Sequence, residues 1–133
     1  LAQTGKSRKR DDMKKPILFL IRPNSRPDRP EGWYCPDCAI VEGVLAYYPQ
    51  LRQAIDIRHV DFPRPREAMI ALVGADRQDC PCLLLDPASA PLQAPVINGW
   101  SVISENTKLL LDTLPLLSSG VGYSGAGSMF QGS

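Results

Sequence analysis

The sequence is poor in several residue types, and each shortage removes a class of function. It holds one histidine, His59, which leaves the usual base near neutral pH without a visible partner. Its formal net charge is +1, too weak a field to recruit nucleic acid or an anionic membrane. No apolar run approaches the length of a membrane span. Ile17-Leu18-Phe19-Leu20-Ile21 follows Lys14-Lys15 but is cut by Arg22, too early for the apolar region of a secretion signal. Cysteine is limited to Cys35, Cys38, Cys80 and Cys82. A second Cys-x-x-Cys pair is lacking, so the zinc pattern is atypical: the later two are spaced Cys-x-Cys. Thiols without a secretion signal fit a reducing cytoplasm.

What is present suits one domain. At 133 residues, with 44% hydrophobic and 22% charged residues, the chain can bury a core without staples, which weakens a purely structural disulfide reading. Leu1 to Lys15 is polar and basic, with Lys6, Arg8, Lys9 and Arg10 followed by Asp11 and Asp12, and reads as a solvated tail. Residues 16–115 carry the periodic segments, and residues 116–133 read as a flexible Gly/Ser-rich tail.

The chemistry concentrates in Trp33-Tyr34-Cys35-Pro36-Asp37-Cys38. Two thiols three residues apart at a helix start lie within one turn of each other. The first sulfur sits beyond the helix end, where N–H groups without partners and the positive end of the dipole favour an anion. The thiolate is the reactive form, so this placement activates Cys35. Pro36 suits the first helical position, because its missing N–H would have had no partner there. Cys38 lies one turn in, more shielded, as the resolving thiol. Asp37 favours the helix start but repels a neighbouring thiolate.

Along the chain, Ile17 to Ile21 reads as a strand buried on both faces. Pro23, Pro27, Pro30 and Gly32 mark a long loop in which Arg22, Arg26 and Arg29 could draw an anionic substrate or simply be solvated. Pro36 to about Tyr48 reads as a helix with Ile40, Val41, Val44, Leu45 and Tyr48 inward. Ile55 to Phe62 is a second strand, with His59 packed in or beside the sheet. Arg66 to Val73 is a helix stopped by Gly74, Leu83 to Leu85 a short strand, and Pro95 to Val102 a strand and turn. Ser104 caps a last helix from Glu105 to Leu114, stopped by Pro115. Cys82 reads as a buried, inert thiol.

This order, with Tyr34-Cys35-Pro36-Asp37-Cys38, Cys80-Pro81 opening the third strand and Ile103-Ser104-Glu105-Asn106 opening the last helix, resembles the thioredoxin-like superfamily. It is closer to glutaredoxins and glutathione transferase N-terminal domains than to thioredoxin. The Tyr-Cys-Pro-x-Cys and Phe-Pro-Arg-Pro-Arg segments are also similar to a small bacterial family of thioredoxin-like proteins, membership of which supplies no activity. The resemblance implies an α/β fold with a four-stranded mixed sheet in β-α-β-α-β-β-α order, the first two strands parallel and the last two antiparallel to their neighbours. It implies a cis Pro81 facing Cys35, a substrate surface including Tyr34, Cys80 and Pro81, and Glu105 and Asn106 at the γ-glutamyl end of glutathione. The departures are the absent thioredoxin Trp-Cys-Gly-Pro-Cys signature, no basic residue before Cys35, a longer loop ahead of the motif, Cys80 where relatives carry a small β-branched residue, and Asn106 in place of the usual serine.

The leading expectation is thiol–disulfide oxidoreduction by Cys35 and Cys38, with a protein disulfide or glutathione mixed disulfide as partner, glutathione as a possible co-substrate and no required cofactor. The alternatives are a metal, iron–sulfur or redox-sensing module using Cys35, Cys38 and Cys80, or a non-catalytic peptide- or glutathione-binding domain.

Overall fold

The computed structural model describes residues 13–118. Apart from residues 13–15 and 116–118, the two expected tails lie outside the described residues. The element order is β1 (Ile17–Ile21), α1 (Pro36–Tyr47), α2 (Leu51–Ala54), β2 (Asp56–Val60), α3 (Glu67–Val73), β3 (Cys82–Leu85), a 3₁₀ turn (Pro87–Ser89), β4 (Val96–Ile97), β5 (Trp100–Ile103) and α4 (Thr107–Leu117). The described residues are therefore α/β, with four helices and one mixed sheet.

The sheet has five strands, not four, in the order β2-β1-β3-β5-β4. β1 and β2 are parallel, Ile17 opposite Asp56 and Ile21 opposite Val60. A parallel pair needs a long crossover, which α1 and α2 supply. β3 runs antiparallel to β1, and β5 antiparallel to β3. The extra strand comes from Asn98-Gly99. Both residues take positive φ, +53° and +83°, as a two-residue hairpin turn requires, and they fold Val96–Ile97 back onto Trp100–Ser101. What reads in sequence as one strand and a turn is a complete hairpin.

Side chains alternate across the sheet and bury both faces. Leu18, Leu20, Leu83, Leu85 and Ile103 pack under Val41 and Leu45 of α1, Leu51 of α2, and Leu110, Leu114 and Leu117 of α4. Ile17, Phe19, Cys82, Leu84 and Val102 pack on the opposite face against Met69 and Val73 of α3. The molecule thus has three layers, with β1 central in the middle one. Among the described residues no helix is long and apolar enough to cross a membrane.

Three sequence expectations need correction. The buried stripe of α1 is narrower than its apolar content implies. Cys38, Val41 and Leu45 are buried, whereas Ile40 is 51% exposed and Tyr48 38% exposed, because offsets of three and four from Cys38 already fill the contact. The last helix begins at Thr107 and is capped by Asn106, whose Oδ1 accepts the Leu109 N–H at 3.1 Å, so Ser104 is not the cap. Pro115 does not stop it. The helix continues to Leu117, where Leu116 and Leu117 are buried, and Ser118 returns N–H and hydroxyl bonds to the Pro115 carbonyl. Burial of two leucines outweighs the one backbone bond that proline removes.

Packing at the central strand sets the stability. Leu18→Ala, at a fully buried position, is expected to cost about 2–5 kcal/mol in urea unfolding. Leu92→Ala, at a site 93% exposed, is expected to stay within about 0.5 kcal/mol.

Candidate functional site

The C-terminal end of β1, the N-terminal end of β3, the end of β5 and the starts of α1 and α4 lie at one edge of the layers. The long loop after β1 is an ordered device that delivers Cys35 to this edge. Asn24, at φ +61°, closes its base: its N–H donates to the Trp33 carbonyl at 2.7 Å, and its Oδ1 accepts the Trp33 N–H at 3.2 Å. Ser25 Oγ donates to the Arg22 carbonyl and accepts the Phe62 N–H at 2.9 Å. The Trp33 ring meets Phe62 edge-on with centroids 5.0 Å apart. Two of the loop arginines are engaged locally, Arg22 with Asp61 at 2.7 Å and Arg26 with Asp28 at 2.7 Å. Their charge is therefore partly spent within the loop and its neighbour.

Cys35 is the N-cap of α1. Its Sγ accepts the Cys38 N–H at 3.2 Å, and Pro36 follows in the first turn. The helix thus points its first N–H groups at a partly exposed sulfur. Cys38 is buried, and its Sγ accepts the Ile21 N–H at 3.5 Å. Burial raises the Cys38 thiol well above the ordinary range, and the hydrogen bond with Cys35 raises it further. The pair therefore divides into an accessible sulfur and a shielded, protonated one. None of the four cysteines is in a disulfide.

Cys80 and Pro81 stand across from this pair, and the Cys80–Pro81 bond is cis, as is Arg64–Pro65. Cys80 Sγ lies 3.6 Å from Met69 Sδ. Burial pushes its thiol up to about 11, with Arg66 opposing and Cys35 adding to the rise. Cys82 is fully buried and pushed up to about 12 by burial, which fits an inert thiol. Asp79, one residue before Cys80, pairs with Arg64 at 2.6 Å. That hydrogen bond, with a lesser contribution from the neighbouring Glu105, holds its carboxyl below the usual range against partial burial.

The structure brings Cys35, Cys38, Cys80 and Pro81 to one end of the sheet and joins Glu105 to them through Asp79. Tyr34 is 58% exposed beside Cys35. Asn106 spends its side-chain oxygen on the helix cap. A shallow pocket of about 210 Å³ adjoins Glu105 and Asn106 and is lined also by Arg77, Gln93, Ser104 and Leu109; no cysteine reaches it. His59 lies on the outer strand and meets Glu42 at 3.2 Å, on the surface rather than packed within the sheet. Among the described residues no three Cys, His, Asp or Glu side chains are grouped to hold a metal ion, so Cys35, Cys38 and Cys80 do not form a ready donor set.

Sequence reasoning missed Arg66, Asp79 and Met69. Arg66 is 6% exposed, and its guanidinium donates to the carbonyls of Asp61, Phe62 and Gln78. Its backbone N–H also donates to Gln78 Oε1 at 2.7 Å. It clamps the segment before α3 to the segment leading into Cys80. Its place in the Phe-Pro-Arg-Pro-Arg run carries no local signal of burial; the carbonyls that hold it are brought together only by the fold.

Two outcomes follow from the burial of the thiols. One equivalent of iodoacetamide at neutral pH is expected to label Cys35 first, with Cys38 and Cys82 protected until unfolding, as peptide mapping would read. The folded chain also holds the Cys80 and Cys82 protons more tightly than an unfolded chain, whose thiols titrate near 9.0. Above that pH the unfolded state loses protons first, so stability falls as pH rises toward about 11 to 12. Urea midpoints measured below and above pH 9 would show the decline.

No curated protein and no solved structure matches the chain. A family profile matches residues 15–117, which span every strand and helix around the thiols, and by that match the chain belongs to the family described as protein of unknown function DUF3088.

Proposed function

We propose that this chain is a thiol–disulfide oxidoreductase of thioredoxin-like architecture. Cys35 is the attacking thiolate and Cys38 the resolving thiol. The observation that carries the reading is the helix cap: an accessible sulfur receives the Cys38 N–H at 3.2 Å, while the second sulfur of the pair is buried one turn below.

The strand arrangement supports the architecture. β2-β1-β3-β5 has the parallel first pair and the two antiparallel neighbours of the four-stranded pattern, with α2 and the short β4 as additions. The Cys-Pro-Asp-Cys start of α1 follows the first strand, and Pro81 immediately precedes β3.

The reaction runs in two exchanges. Cys35 Sγ attacks one sulfur of the substrate disulfide, and the other sulfur departs as a thiolate. Cys38, protonated until then by burial, gives its proton to that thiolate and attacks Cys35 Sγ. The second substrate thiolate leaves, and a Cys35–Cys38 disulfide remains for a reductant to open. The substrate is a protein disulfide or a glutathione mixed disulfide, with glutathione as co-substrate and no cofactor. Tyr34, Cys80 and Pro81 flank the attacked bond. Asp79 and Glu105 supply the acidic charge that an amino group of the γ-glutamyl end calls for, and Asn106 offers its amide donors. A reducing cytoplasm is the compartment that keeps such a pair in its dithiol form.

The reduced chain mixed with oxidised glutathione at neutral pH is expected to release reduced glutathione and to yield a linked Cys35–Cys38 peptide. Cys35→Ser is expected to reduce the exchange to the uncatalysed rate. Thiols that remain untouched in the folded, unaltered chain would overturn the assignment.

A further inference from the structure

Cys80 is a thiol that the two-sulfur reaction does not use, and the sheet register carries it to the reacting end. Phe19 pairs with Cys82 in the antiparallel β1–β3 ladder. The ladder ends there, and Cys80 lies two residues beyond it, at the end of the sheet where β1 closes with Ile21. The Ile21 N–H points at Cys38 Sγ, 3.5 Å away. Cys35 and Cys80 both pack against the buried cluster that contains Cys38. Cys80 is also only partly buried, whereas Cys82 is sealed in the sheet. Its near neighbour is the Met69 thioether at 3.6 Å, a weak acceptor that leaves the sulfur available.

We propose that Cys80 is a second resolving thiol, which competes with Cys38 for a mixed disulfide on Cys35 and lets the site close as Cys35–Cys80. This rests on the oxidoreductase reading of the Cys35–Cys38 pair. With oxidised glutathione as substrate, the Cys35 thiolate first displaces one glutathione thiolate and holds the other half as a mixed disulfide. The Cys80 proton passes to the released thiolate. Cys80 sulfur then attacks Cys35 Sγ, the Cys35–glutathione bond breaks, and the second glutathione leaves as thiolate. One disulfide is consumed and one formed, so no further oxidant is required.

Arg66 favours this role. Its buried guanidinium is held by three carbonyls beside the Cys80 segment and opposes the effect of burial on that thiol. Cys80 is pushed up to about 11, while Cys38, more deeply placed, is raised further.

The test uses Cys38→Ser and, independently, Cys38→Ala in the full chain, with oxidised glutathione as the probe and peptide mapping as the readout. The expected result is a Cys35–Cys80 linked peptide and loss of the glutathione adduct. In the Cys38→Ser, Cys80→Ser double variant the Cys35–glutathione adduct is expected to persist. A stable adduct in both single variants would overturn the role of Cys80 and leave the oxidoreductase reading standing. No adduct and no linkage at Cys35, in variants that unfold cooperatively, would remove the oxidoreductase reading and this inference with it.

Discussion

A helix cap made by sulfur rather than oxygen is the contact on which the cysteine-bearing end of the sheet depends. Oxygen caps from Ser, Thr, Asp or Asn contribute about 1 kcal/mol to a helix. A neutral thiol is a poorer acceptor. The fold therefore accepts a weak cap at the start of α1 in order to set Cys35 there, and offsets it locally. Pro36 fixes the first turn, and Asp37 adds a negative charge where the helix dipole favours one.

The remainder of the molecule fixes where that cap sits. β1 must end at Ile21, because its N–H is the donor to Cys38. The Asn24–Trp33 closure then spans the proline-rich loop and returns the chain to the same edge. On the far side, Arg66 ties the residues before α3 to Gln78, two positions before Cys80. A buried guanidinium is costly unless its donors are met, and here backbone carbonyls meet them. The two halves of the site are thus held by hydrogen bonds between side chains and backbone, from Asn24 and Ser25 on one side and from Arg66 and Gln78 on the other.

Much of this was legible in the sequence where the signal was local. The unbroken run Ile17–Ile21 announced a strand buried on both faces. Pro36 and the Cys35–Cys38 spacing announced a helix start with one outer and one inner sulfur. Asn98-Gly99 carried a hairpin signal that went only half read, because its first strand, Val96–Ile97, is only two residues long. Features set by tertiary packing were not legible. Pro115 obeys its local rule only until Leu116 and Leu117 find a place in the core. The link from Glu105 to Asp79 joins residues twenty-six positions apart, by the chain numbering. Arg66 looks like surface charge until the fold closes over it. The stripe on α1 was overread because apolar content alone does not reveal how much of a helix its neighbours cover.

The flanks of the sheet have a consequence of their own. β4 offers only two residues on one margin, and β2 closes the other with Asp56, Arg58 and His59, the first two joined at 2.8 Å. Short or charged margins deny an incoming chain the row of open backbone groups needed to extend the sheet. Such margins leave few open backbone groups along which a second copy could pair.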